Sequence, residues 1–151
     1  VVDYFIVCES MYDHKDEKKK INFKLKNSNF KDKVKHIVID ENFPNLKDGW
    51  ETESYQREKI INELQDVKNE DYVMYSDSDE IPNPNILKNL LLNKKYGIFM
   101  QNFFVYKMNI FNKYESPWEG TRICKKKRFK KYYPFKKRNS FKKFKKTFLE
   151  N

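Results

Sequence analysis

The chain has 151 residues, enough for one domain with a hydrophobic core. Its net charge of +10 points at first to nucleic acid or an anionic membrane, but residues 125–146 hold thirteen Lys or Arg and no acid, so the basicity belongs to one segment and the remainder is slightly acidic. No run of about 18 apolar residues is present to span a bilayer, and the two cysteines, Cys8 and Cys124, are too few and too far apart for a zinc cluster and read as reduced, intracellular thiols.

Taken in order, Val1 to Val7 reads as a buried strand, Ile21 to Leu25 as a short one and Val34 to Ile39 as another, joined by Lys- and Asn-rich connections. Glu51 to Val67 has helical periodicity. At 100° per residue Ile60, Ile61, Leu64 and Val67 form one apolar stripe, with Glu53 and Arg57 on the same side. That charged pair is spaced i, i+4: either the two satisfy each other, or Arg57 reaches a ligand phosphate or a carboxylate with its forked donors. A strand at Tyr72, a helix over about Asn85 to Leu92 introduced by Pro82 and Pro84, and a long apolar strand from Ile98 to Met108 follow. Strands alternating with helices favour an α/β fold with a mostly parallel sheet flanked by helices. The chain opens on Val1, directly in a strand, and is expected to be a fragment of a longer domain.

The stretch Tyr72-Val73-Met74-Tyr75-Ser76-Asp77-Ser78-Asp79-Glu80-Ile81-Pro82 runs an apolar strand straight into three carboxylates and stops it with a proline. In extended backbone Asp77 and Asp79 point to one side, about 6–7 Å apart at ~3.3 Å per residue, and two such carboxylates repel unless a cation joins them. Hard cations such as Mg²⁺ or Mn²⁺ suit oxygen ligands, taking one or two carboxylates while phosphates and waters fill the other positions. The bland alternative is a polar turn with Asx hydrogen bonds. Only Gly49, Gly97 and Gly120 occur, with no glycine-rich phosphate loop, so metal plus carboxylates must carry any phosphate.

Four blocks, Val2-Asp3-Tyr4-Phe5-Ile6-Val7-Cys8-Glu9-Ser10, Trp50-Glu51 with Tyr55-Gln56-Arg57, Ser76-Asp77-Ser78-Asp79-Glu80-Ile81-Pro82 and Trp118-Glu119-Gly120-Thr121-Arg122, resemble in this order the signature blocks of the family 17 glycosyltransferases. These include the β-1,4-mannosyl-glycoprotein β-1,4-N-acetylglucosaminyltransferases. The resemblance implies a GT-A-like nucleotide-sugar fold, an inverting transfer and a UDP-sugar donor, with UDP-N-acetylglucosamine expected, passed to a glycan acceptor. It makes Asp79 and Asp77 the metal pair, served by Mn²⁺ or Mg²⁺, with Asp77 also facing the ribose or a metal-bound water. Arg57 and Glu9 become candidates for holding the nucleotide-sugar. Glu80 either orients the aspartates or faces the acceptor, and Glu119 is the candidate base. Trp118 either stacks on a sugar ring or closes a core edge. A strand ahead of Val2 and a portion after the Trp118 block are expected outside these residues, so residues 1–123 read as a partial domain and 124–151 as a basic, aromatic-rich tail.

The rival reading starts from that tail, Lys125-Lys126-Lys127-Arg128-Phe129-Lys130-Lys131-Tyr132-Tyr133 and onward. Basic residues interleaved with aromatics suit a polyanion or an anionic membrane surface, contacted through residues 125–146. A solvated extension has the same composition. A metal-dependent nuclease is a third possibility, but it wants further acidic ligands that are not evident. His14 and His36 show no catalytic spacing and read as surface residues.

Overall fold

A computed structural model describes residues 2–26, 28–44, 49–106, 109–129 and 146–150. The chain divides into two compact units, one spanning Val2–Asp66 and the other beginning at Val67.

In the first unit β1 (Phe5–Ser10) pairs in parallel with β2 (Val34–Ile39), Phe5 opposite Val34 and Ser10 opposite Ile39. Helix α1 (Gly49–Asn62) packs on β1. Gln56 fastens it there: its Nε2 donates to the Cys8 carbonyl at 3.1 Å, while the Cys8 thiol donates to the Gln56 carbonyl at 3.5 Å. Ile39, Leu64, Ser10 and Thr52 are buried. The helix ends at Asn62, short of the expected Val67, because Glu63 and Leu64 donate to the carbonyls of Ile60 and Ile61 and tighten the last turn. The stretch Ile21 to Leu25, expected as a strand, is irregular: the N–H groups of Asn22 and Phe23 go to the Glu9 carboxylate at 2.8 and 2.9 Å instead of to a neighbouring strand. Among the described residues its connection to β2 carries a 3-10 turn, Ser28–Lys33. Both histidines are exposed, and the His36 ring lies 4.9 Å from that of Phe23.

The second unit is built on a four-stranded sheet of β3 (Tyr72–Tyr75), β4 (Tyr96–Gln101), β7 (Trp118–Lys125) and β8 (Lys146–Glu150), in the order β3-β7-β4-β8. Between β3 and β4 lies a five-residue helix α2 (Pro84–Lys88), capped by Asn83, whose side chain accepts from the Asn85 N–H, and opened by Pro84 at the position that needs no N–H. The long strand expected over Ile98 to Met108 breaks after Gln101 and resumes as β5 (Phe104–Val105), which pairs with β6 (Ile110–Phe111). That hairpin returns the chain as β7 between β3 and β4, antiparallel to both. Among the described strands only β1–β2 and β4–β8 run parallel, so the mostly parallel sheet expected from the sequence is not seen among them; the class is mixed α/β.

The core of this unit is Tyr96, Ile98, Phe99, Ile123 and Cys124, with Val73 of β3 also buried and Phe129 and Met100 packed against Tyr96, Ile98 and Cys124. Neither Cys8 nor Cys124 forms a disulfide. At Gly97 a methyl group would meet Leu92 at 2.7 Å and Ile123 at 2.9 Å, so β4 needs glycine there for close packing. β7 and the 3-10 turn Lys126–Arg128 carry ordered structure into the stretch read as a tail. There Lys125 and Lys127 both pair with Glu70, whose carboxyl they hold down to about 2. Most of residues 125–146, and with them the polyanion reading, lie outside the described residues.

Candidate active site at the end of β3

β3 ends at Tyr75, and the next five residues fold into a tight turn held from both ends. The Glu80 N–H donates to the Asp77 carbonyl at 3.0 Å, and the Asp77 N–H donates to Glu80 Oε2 at 3.2 Å. The Tyr75 hydroxyl donates to Asp77 Oδ1 at 2.9 Å. Asp77 and Asp79 are exposed, whereas Glu80 is half-buried.

The turn is anchored by β7. Thr121 is fully buried, and its hydroxyl lies 2.5 Å from the Ser76 hydroxyl and 3.4 Å from the Glu80 carbonyl; the Ser76 proton goes to that carbonyl at 2.6 Å, which leaves the single Thr121 proton to Ser76 Oγ or to the carbonyl. Thr121 sits where the ladder between β4 and β7 slips, since the register passes from Ile98–Arg122 to Met100–Glu119 and leaves Gly120 and Thr121 across from Phe99. This is a bulge, and bulges commonly re-aim side chains beside functional sites. The Thr121 N–H is taken up by Gln101 Oε1 at 3.2 Å. Gly120 makes room for that amide: a Cβ there would overlap Gln101 Oε1 outright.

Glu80 also accepts from the Trp118 indole N–H at 3.2 Å, and the Trp118 ring stacks on Phe103 at 4.9 Å and 19°. Burial pushes the Glu80 carboxyl above its usual range; hydrogen bonds from Asp77 and Trp118 pull the other way, the Asp77 charge adds to the rise and Arg122 opposes it. Arg122 is almost fully buried beneath the turn, opposite Tyr75 on β3 and Ile98 on β4, with Nη2 donating to the Glu119 carbonyl at 3.3 Å.

Asp77, Asp79, Glu80 and Trp118 therefore share one corner, and Glu119 lies next to Trp118 on β7. Arg57 and Glu9 belong to the other unit. Arg57 pairs with Glu53 at 3.4 Å, as its helical spacing allowed. Glu9 is a clamp for the loop after β1, accepting from Asn22, Phe23 and Lys19 Nζ, the last at 3.1 Å. Burial disfavours its charge, but the Phe23 and Asn22 N–H groups and Lys19 together outweigh that and hold the carboxyl below its usual range. Ser76, Gln101, Thr121 and Arg122 do not stand out in the sequence as site residues. The available signal is Gly120-Thr121-Arg122, where a glycine inside a strand marks a bulge or a close approach.

Among the described residues no three His, Cys, Asp or Glu side chains gather into a ready-made metal cage. Asp77 and Asp79 are instead an exposed pair of carboxylates on a hydrogen-bonded turn, and such a pair is chemically suited to a hard cation that takes its other ligands from phosphates and waters. The family model for glycosyltransferase family 17 matches residues 1–141, and the chain belongs to that family. No curated protein and no solved structure matched it.

Proposed function

We propose that this chain carries the donor site of a metal-dependent, inverting glycosyltransferase of GT-A type, which moves N-acetylglucosamine from a UDP-sugar to a glycan acceptor. The observation that carries the reading is the exposed Asp77–Asp79 pair on a turn fixed by buried Thr121. Asp79, with Asp77, would hold Mn²⁺ or Mg²⁺. The ion would neutralise the charge that develops on the departing UDP.

The chain's own residues do the rest. Ser76 and Thr121 fix the backbone of the turn, so the aspartates need not reorganise when the diphosphate arrives. Glu80 spends both carboxylate oxygens on Asp77 N–H and the Trp118 indole, which suits it to orient the turn rather than to take a proton. Glu119 is the base candidate, half-buried beside Trp118, to accept the proton of the acceptor hydroxyl.

Titration calorimetry of UDP against the full chain in Mn²⁺ tests the reading. Asp79→Ala should weaken UDP binding at least about tenfold, equivalent to roughly 1.4 kcal/mol, with no fall in unfolding temperature because the side chain is exposed. Equal affinity for both proteins, with and without chelator, would remove the metal site from the proposal.

A further inference from the structure

The β5–β6 hairpin shows an unusual concentration of exposed rings. Phe104 and Phe111 face each other at 5.7 Å yet remain 46% and 51% exposed, while Tyr106 and Tyr114 are 90% and 88% exposed. Tyr106 also has φ of 58°, the left-handed region. Backbone sterics disfavour a bulky residue there, and a ring in solvent returns nothing by burial. Glycine or asparagine would make the turn more easily, so neither folding nor packing explains the tyrosine.

The hairpin is rooted in the acidic corner. Phe103, the residue before β5, stacks on Trp118, whose indole N–H holds the carboxylate of Glu80, next in sequence to Asp79. Two side chains clamp the far leg: the Ser116 hydroxyl accepts from Phe103 N–H at 2.8 Å, and Asn112 Oδ1 accepts from the N–H groups of Tyr114 and Glu115. The exposed rings thus stand on a braced arm continuous with the site.

We propose that the described part of this arm, residues 103–106 and 109–118, is the acceptor platform, and that the Tyr106 ring stacks on a sugar of the acceptor glycan. The inference rests on the donor-site reading above. A pyranose has an apolar C–H face and a hydroxyl rim, and a tyrosine has an apolar face and one hydroxyl at its edge, so the two match better than tyrosine matches a purely apolar partner. The arm is also joined to the turn that carries Asp79, through the hydrogen bond from the Trp118 indole to Glu80.

The test uses the full chain with a soluble mannose oligosaccharide, followed by saturation-transfer NMR without donor or metal, alongside UDP calorimetry in Mn²⁺. Tyr106→Asn keeps a residue that tolerates the left-handed backbone and removes the ring. The oligosaccharide should bind the native chain, and the variant should lose about three- to tenfold in affinity, the range expected for one stacked ring, with UDP affinity and unfolding temperature unchanged. Unchanged oligosaccharide affinity in the variant, or none in the native chain, overturns the platform while leaving the donor site standing. Loss of metal-dependent UDP binding in Asp79→Ala speaks for the donor site alone, so the two failures are distinguishable. If Tyr106→Asn instead abolishes self-association in sedimentation, the arm is an interface between copies and the proposal fails.

Discussion

Gly120→Ala is the sharpest probe of how the acidic turn is supported. The new methyl group would overlap Gln101 Oε1 and stand 2.8 Å from Gln101 Cδ, so the amide must leave its place. When it leaves, the Thr121 N–H loses its acceptor at 3.2 Å, inside a residue with no exposed surface. A buried donor without a partner costs about 1–3 kcal/mol. At about 2–4 °C per kcal/mol for a chain of this size, the unfolding midpoint should drop by roughly 2–12 °C.

Clash and lost hydrogen bond are separable. Gln101→Ala orphans the same N–H without any clash, and should cost a similar amount. In the double variant the methyl group introduced at position 120 finds the space vacated, so the protein should be no less stable than the weaker single variant. The cycle should therefore show strong coupling between the two positions, measured by thermal or urea unfolding. Additive effects, or a Gly120→Ala protein that melts with the native one, would refute the view that Gly120 exists to admit the Gln101 amide. Because Thr121 grips Ser76 and the Glu80 carbonyl, the same variants should also weaken UDP binding in Mn²⁺.

Thr121→Val keeps shape and removes the hydroxyl; it should lower stability by about 1–2 kcal/mol and UDP affinity several-fold, while Thr121→Ser restores both in the same calorimetric and unfolding assays. Glu9 has its folded carboxyl below the unfolded value of about 4.3, so its contribution is complete above that value and is lost as pH falls through the folded one. Glu9→Gln should thus be less stable at neutral pH and show a flatter decline below about pH 4.3, read by urea unfolding across pH. The Cys8 thiol is pushed up to about 11 by burial, with Lys59 opposing; at pH 8 roughly 0.1% is thiolate, so iodoacetamide should modify it a hundredfold or more slowly than a free thiol, and unfolding should restore the ordinary rate.

What is legible in the sequence follows from how local each feature is. β2, β3 and α1 carry their patterns in their own residues, and they form close to where those patterns lie. The strand expected at Ile21 to Leu25 fails because its amides are claimed by Glu9, thirteen residues away for Asn22 N–H, and no window of local propensity contains that competitor. β7 reads in one dimension as a motif with a tail behind it. Its run Glu119-Gly120-Thr121-Arg122 lacks the alternation of a half-buried strand, since Thr121, Arg122, Ile123 and Cys124 are buried in succession. A central strand sealed on both faces gives such a run, and a bulge shifts its phase besides.

The same contrast governs the site. The aspartates proposed to hold the ion are recognisable by residue type alone, so two of them at a strand end are visible in one dimension. The groups that hold them still are chosen for reach and volume. Gln101, Gly120 and Thr121 are informative only together, because the space lacking in one residue is filled by the amide of another, and that amide accepts the N–H of the third. Rigid placement of Asp77 and Asp79 is then a property of the β4–β7 pairing rather than of the acidic turn itself. It follows that changes at Gln101 or Gly120, which touch no ligand, should act on UDP binding through the turn, whereas Asp79→Ala acts without disturbing the fold.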